Sequence, residues 1–151
     1  MVKELFITDV RSAPMVAMES VEAIAGRGLL GDRYYLGTGY YSGRKGWGAN
    51  VSLVQSEAIA AINAGHGQNI TGQQLRRNIV TADISLDALV GRTFRCGTAV
   101  LRGIKRYPPC SHLARLMGLN EVIRYLANCG GMGAEVINDG IIRIGDDIHL
   151  D

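Results

Sequence analysis

Read for hydrophobic patterning, the chain is a succession of short strand-like runs broken by turn residues, with few stretches at helical spacing. Residues 3–10 predict an opening strand, and residues 18–25 a second, with alternation around Val21 and Ile24. Residues 51–54 read as a short buried strand and residues 78–81 as another. Residues 89–97 and 98–105 form two runs around a glycine turn. Three further β signals follow at 133–136, 141–144 and 148–150, separated by Asn138-Asp139-Gly140 and Gly145-Asp146-Asp147.

Helical signals are fewer. Ser56 predicts the cap of a helix that carries Ala58, Ile59, Ala61 and Ile62 and ends at Gly65. Thr71-Gly72-Gln73-Gln74 has the form of a capping box, predicting a brief helix through Leu75 towards Arg77. Ser111 can cap a helix over 112–117, with Gly118 as its stop, and Asn120 a second one carrying Val122, Ile123 and Leu126 on one side. No internal repeat or linker interrupts the pattern. The expectation is one domain, 1–151, mainly β with a few short helices, in which barrel closure would hide the many strand edges.

Glycine sharpens this picture. There are 20 in 151 residues, nearly twice the usual share, so tight turns and close backbone approaches are frequent. Eight of them lie between Gly26 and Asn50, in a long loop that also carries Tyr34, Tyr35, Tyr40, Tyr41 and Trp47. A loop of that length in a compact domain is usually functional or disordered, and its aromatics argue against simple disorder.

Charge excludes some partners. The formal net charge is +2 and only 20% of residues are charged, which gives no nucleic-acid groove and no polybasic membrane patch. No apolar run is long enough to span a bilayer, and residues 1–10 lack the basic start and apolar block of a signal peptide, so a cytoplasmic protein is expected. Three cysteines, Cys96, Cys110 and Cys129, are an odd number at wide spacing, which fits reduced thiols rather than a disulfide scaffold. Cys96 sits at a strand end and is expected to be buried packing.

The candidate chemistry centres on Tyr107-Pro108-Pro109-Cys110-Ser111-His112. Two prolines stiffen the approach to Cys110, and a thiol just before a helix start is biased towards thiolate, the form that ligates a soft metal or attacks sulfur. A small apolar residue filling a turn is the plain alternative. His112, two residues on, could share a metal with Cys110, although the four-ligand spacing of a structural zinc site is missing. Arg76-Arg77-Asn78 offers guanidinium forks and an amide to a phosphate or heterocycle, or else a solvated face. Asp32-Arg33, between Gly31 and the aromatic loop, is either a structural pair or part of an anion site. A glycine-rich backbone with Arg44-Lys45 beside it can also cradle a phosphate, though no Walker or dinucleotide motif is present.

In order, these pieces resemble the MOSC domain family, named for the C-terminal domain of molybdenum cofactor sulfurases. The resemblance rests on Gly28-Leu29-Leu30-Gly31-Asp32-Arg33, Val51-Ser52-Leu53-Val54, Leu75-Arg76-Arg77-Asn78-Ile79, Leu89-Val90-Gly91-Arg92-Thr93-Phe94, Pro109-Cys110-x-x-Leu113, and Gly130-Gly131 leading to Gly145-Asp146. It implies a distorted, closed β-barrel and a single small stand-alone domain. It also implies a molybdenum–pterin cofactor (molybdopterin) ligated by Cys110, with Arg77 and Asn78, and also Arg76 and Arg33, on the cofactor. Three functions follow as expectations: reduction of N-hydroxylated compounds, a persulfide carrier acting through Cys110, or a divalent-metal lyase or hydrolase using Cys110 and His112 with Asp32 as base. The larger family reductases carry further domains, so a separate electron- or sulfur-donor protein is expected beside a small-molecule substrate.

Overall fold

A computed structural model describes residues 1–107, 111–118, 121 and 131–151. The architecture is mainly β, as expected. Its elements are β1 (Val2–Ile7), β2 (Val16–Met18), β3 (Ser20–Ile24), β4 (Gly28–Leu29), α1 (Arg33–Leu36), β5 (Val51–Gln55), α2 (Ser56–His66), β6 (Ile79–Thr81), β7 (Thr93–Cys96), β8 (Ala99–Arg106), α3 (Ser111–Met117), β9 (Met132–Asn138), β10 (Gly140–Arg143) and β11 (Ile148–Leu150), with a single 3-10 turn at Asp87–Leu89.

The strands form two sheets. The larger runs β11-β7-β8-β9-β5-β6-β1-β2, the smaller β10-β3-β4. Closure into a barrel, expected above, does not occur: both sheets are open. The chain turns out of the larger sheet at Glu19, so β3 pairs with β10 instead of continuing past β2. The 144–146 turn is bonded to β1, where Val2 N donates to Asp146 O (2.8 Å) and Gly145 N to Val2 O (2.8 Å). The smaller sheet lies over this coiled surface as a lid, and the principal core fills the space between them, with Leu53, Phe94, Leu101, Leu29 and Ile142 fully buried.

Strand β5 has apolar partners on both sides. Val51 and Leu53 face the principal core, whereas Val54 faces a second cluster in which Phe6, Val80, Ile59, Ile62, Leu75 and Ala114 gather under α2 and α3. This is why 51–54 reads as an almost continuous apolar run: β5 pairs in parallel with β6 across a crossover that contains α2, and such strands are covered on both faces. Ser52 is its polar exception, 2% exposed. The helix α2 ends two residues later than expected, at Gly67 in the left-handed region, φ 62°.

Two register shifts in the β8–β9 ladder bend the sheet, one of them between Gly103 and Lys105. Gly103 sits where the 89–92 turn crosses β8, donating to Arg92 O (3.0 Å) and accepting from Gly91 N (2.9 Å). A Cβ there would overlap the Leu89 carbonyl oxygen. Gly103→Ala is therefore expected to destabilise the fold by about 2 kcal/mol, the usual scale of overpacking. Thermal unfolding should show a midpoint lower by about 4–8 °C; an unchanged midpoint would mean the turn simply shifts aside.

Candidate functional site

Four of the candidate residues converge where β1, β5 and β6 meet the loop bearing α1. Asn78 opens β6 with its side chain 0% exposed. Its Oδ1 accepts from Ser52 N (3.0 Å) and Ser52 Oγ (3.0 Å), and its Nδ2 donates to Phe6 O (3.1 Å). The amide thus ties three strands together and holds the base from which Arg77 and Arg76 emerge.

Asp32 is likewise fully buried. It caps α1, accepting from Tyr34 N (3.3 Å) and from Thr8 N (3.2 Å), and its Oδ1 lies 3.0 Å from Arg33 Nη1. Arg33, 5% exposed, places Nη1 also 3.7 Å from Met15 Sδ and donates Nη2 to the Arg76 carbonyl (3.1 Å). That last bond grips a strained residue, because Arg76 has φ 60°, a region that non-glycine side chains seldom occupy. The geometry makes Asp32 the anchor of Arg33 and, through it, of the arginine turn.

The strain has a directional consequence. Adjacent arginines project into different recesses. Arg76 lines a cleft of about 310 Å³ with Met15, Gln73, Leu116 and Met117. Its Nη1 donates to the Ala13 carbonyl, while its Nη2 is buried without a hydrogen-bond partner among the described residues. Burial, and then the charge of Arg33, push the Arg76 guanidinium down to about 10. Arg77 lies over the Tyr107 ring, 4.7 Å from its centroid, beside a narrow recess lined by Arg33, Tyr34, Tyr41, Trp47, Ser52 and Tyr107. Desolvation raises the Tyr107 hydroxyl well above its ordinary value, so it remains a neutral phenol.

Tyr107 stands on the wall of the narrow recess, and Leu116 and Met117 of α3 on the wall of the cleft. Cys110 and Cys129, the side chain of His112 and the helix expected after Asn120 lie outside the described residues. Among the described residues no three His, Cys, Asp or Glu side chains come together as a metal cluster. Cys96 is sealed in the core, and burial pushes its thiol up to about 12, which makes it packing.

The aromatic loop supplies the remaining wall, which the residue-by-residue reading did not assign. Tyr41 and Trp47 stack at 4.0 Å and 6°, Trp47 and Tyr107 at 5.3 Å and 23°, and Lys105 Nζ lies 4.0 Å from the Trp47 ring centre. The density of aromatics was visible in the sequence; their meeting with Tyr107, sixty residues away, was not. Within the loop the N–H groups of Arg44, Trp47 and Ala49 are engaged by Tyr41 O, Arg44 O and Trp47 O.

Comparison with known proteins decides the family. Residues 41–149, well over half of the chain, match the family model described as MOSC domain. The chain belongs to the MOSC domain family. MOSC domains are linked to molybdenum-cofactor binding or to sulfur-related roles. Among solved structures, this MOSC domain is similar to the YuaD protein of Bacillus subtilis (17% identity, TM-score 0.78, covering 98% of this chain and 94% of that one). It is also similar to YiiM of Geobacillus stearothermophilus (15%, TM-score 0.76, covering 100% and 75%) and YiiM of Escherichia coli (15%, TM-score 0.72, covering 99% and 69%). At these identities the likeness is one of fold. No curated protein matches the chain in sequence. Among the described residues of this MOSC domain no helix is long and apolar enough to cross a membrane.

Proposed function

We propose that this MOSC domain binds a molybdenum–pterin cofactor through Cys110 and reduces N-hydroxylated compounds, with electrons delivered by a separate donor protein. The observation that carries the reading is Arg76: a half-buried guanidinium, held by Arg33 in a strained turn, with one nitrogen lacking a partner among the described residues and its affinity for a proton depressed. An uncompensated cation of this kind is stabilised by an anion brought beside it, and a pterin phosphate is such an anion. The residues present therefore suit the cofactor.

In this reading Arg76 holds the phosphate-bearing end from its cleft and Arg77 meets another part of the cofactor from the neighbouring recess, while Asp32, Arg33 and Asn78 keep them in position. Tyr107, three residues before Cys110 in the sequence, lines the recess beside Arg77, which supports the pairing. A soft thiolate suits high-valent molybdenum, which when bound supplies two-electron oxygen-atom chemistry. Conversion of N–OH to N–H takes two electrons and two protons and releases water. The protein's share is to orient the substrate, hold a neutral phenol at Tyr107 Oη and keep charge balanced through its arginines.

The test is molybdenum and pterin analysis of protein made in a cofactor-competent host. The wild type should carry near-stoichiometric molybdenum, Cys110→Ser should fall to background, and Arg76→Gln should lower cofactor affinity by about 10–100-fold. Equal molybdenum in wild type and Cys110→Ser defeats the ligation. A metal-free protein with the mass of one extra sulfur at Cys110 would select the persulfide carrier instead.

A further inference from the structure

A second cleft, of about 450 Å³, opens between α1 and residues 41–50, on the solvent side of the Tyr41–Trp47 stack. The cofactor reading leaves it unused. It shares Tyr34, Tyr41 and Trp47 with the narrow recess beside Arg77, so the two are continuous along one aromatic wall.

Three properties of the cleft define what fits it. First, it carries two guanidiniums and no acid: none of the described residues lining it is Asp or Glu. Arg27 lies 3.9 Å over the Tyr35 ring, and Arg44 lies 4.8 and 5.1 Å from the rings of Tyr40 and Tyr41. Among the described residues neither arginine is paired with a carboxylate. A guanidinium laid on an aromatic face is pre-oriented, weakly hydrated and still has N–H groups at its edge for an anion. Second, its walls are flat. Tyr34 and Tyr35 line it together with the parallel Tyr41–Trp47 pair, surfaces that favour a planar ring over a branched aliphatic body. Third, the Trp47 indole Nε1 is buried with no acceptor among the described residues. Such an orphan donor is costly unless a ligand completes it.

We propose that this cleft binds a small planar aromatic molecule bearing an anionic group, of the size and type of a mononucleotide, and that it selects the substrate of the site beyond it. The second half of this rests on the reading given above; the binding itself does not. Arg27 and Arg44 take the anionic group, and the aromatic wall takes the ring. The volume is within the range of pockets that enclose a small ligand.

Trp47 is the one tryptophan of the chain, so its fluorescence reports on the aromatic wall that this cleft shares with the narrow recess, and the Arg27 and Arg44 variants assign the signal to the cleft. The experiment titrates cofactor-free protein with adenosine 5′-monophosphate, adenosine and ribose 5-phosphate, following Trp47 emission and heat of binding. The monophosphate should quench Trp47 saturably, and the two fragments should bind at least about tenfold more weakly, because each lacks one of the paired contacts. Arg27→Gln and Arg44→Gln, at exposed positions and with folding checked by circular dichroism, should each weaken the monophosphate by about tenfold. Absence of saturable quenching overturns the proposal, as does equal affinity for all three compounds or unchanged affinity in both variants. Molybdenum content, read separately, is untouched by any of these outcomes, so failure here and failure of the cofactor reading are distinguishable.

Discussion

Asp32→Ala should lower the stability of the domain by about 3–5 kcal/mol, the cost of leaving a buried charge without its partner. Arg33 has 7% of its side chain exposed and Asp32 none, so water cannot replace the lost carboxylate. After the change, Arg33 Nη1 would keep only the long contact to Met15 Sδ, and Tyr34 N and Thr8 N would lose their acceptor. Much of the effect belongs to the orphaned guanidinium rather than to the pair itself. The double variant Asp32→Leu/Arg33→Met should accordingly recover a large part of the loss, since a buried ion pair replaced by apolar groups of similar volume is often neutral. Urea unfolding of the single and double variants measures this directly. A double variant as unstable as the sum of the two singles would show that the two side chains act independently and that an orphaned charge is not the source of the loss. The same change releases the Arg76 carbonyl, now gripped by Arg33 Nη2, so the loosened turn should also bind anions more weakly.

Asn78→Ala should cost about 4 kcal/mol, because three buried groups lose a partner at about 1–3 kcal/mol each and local relaxation returns a part. The groups are Ser52 N, Ser52 Oγ and Phe6 O, on β5 and β1. For a domain whose total stability is about 5–15 kcal/mol, that is a large fraction. Ser52→Ala removes the hydroxyl, which both donates to Asn78 Oδ1 and accepts from Asn78 N, so the two sites should couple strongly in a double-mutant cycle. Additive losses would show that the amide and hydroxyl act on separate parts of the sheet.

Much of this architecture was legible because local chemistry agrees with the final structure. Residues 148–150 form a strand as read, and α3 ends before Gly118 at φ 65° as read, although the helix already includes Ser111 as its first residue. The capping box at 71–74 forms both of its bonds, Gln74 N to Thr71 Oγ1 (3.2 Å) and Thr71 N to Gln74 Oε1 (3.0 Å). Yet the helix it foretold stops after a turn, because Arg33 pulls the Arg76 carbonyl into a tertiary contact and the backbone there turns left-handed. Propensity yielded to packing.

Other features lie beyond local pattern. Alternation tells which residues pair somewhere, not with whom, so barrel closure was a reasonable inference that the corner at Glu19 reverses. The four-residue α1 was hidden inside a glycine-rich loop, since so short a helix has no periodicity to detect. Arg76 and Arg77 read as one motif, whereas a single left-handed residue sends them to separate recesses. Ser52 was read only as part of a short buried strand; its partnership with Asn78, 26 residues on, depends on the parallel pairing of β5 with β6.

That shared strand has a wider meaning for how the molecule melts. Because β5 contributes residues to both apolar clusters, neither cluster keeps its packing once the other is lost, and the domain behaves as one cooperative block rather than two foldons. Any molecule that settles beside Ser52 is then linked to the global unfolding equilibrium, and its occupancy raises the resistance of the whole polypeptide to heat and proteases by mass action.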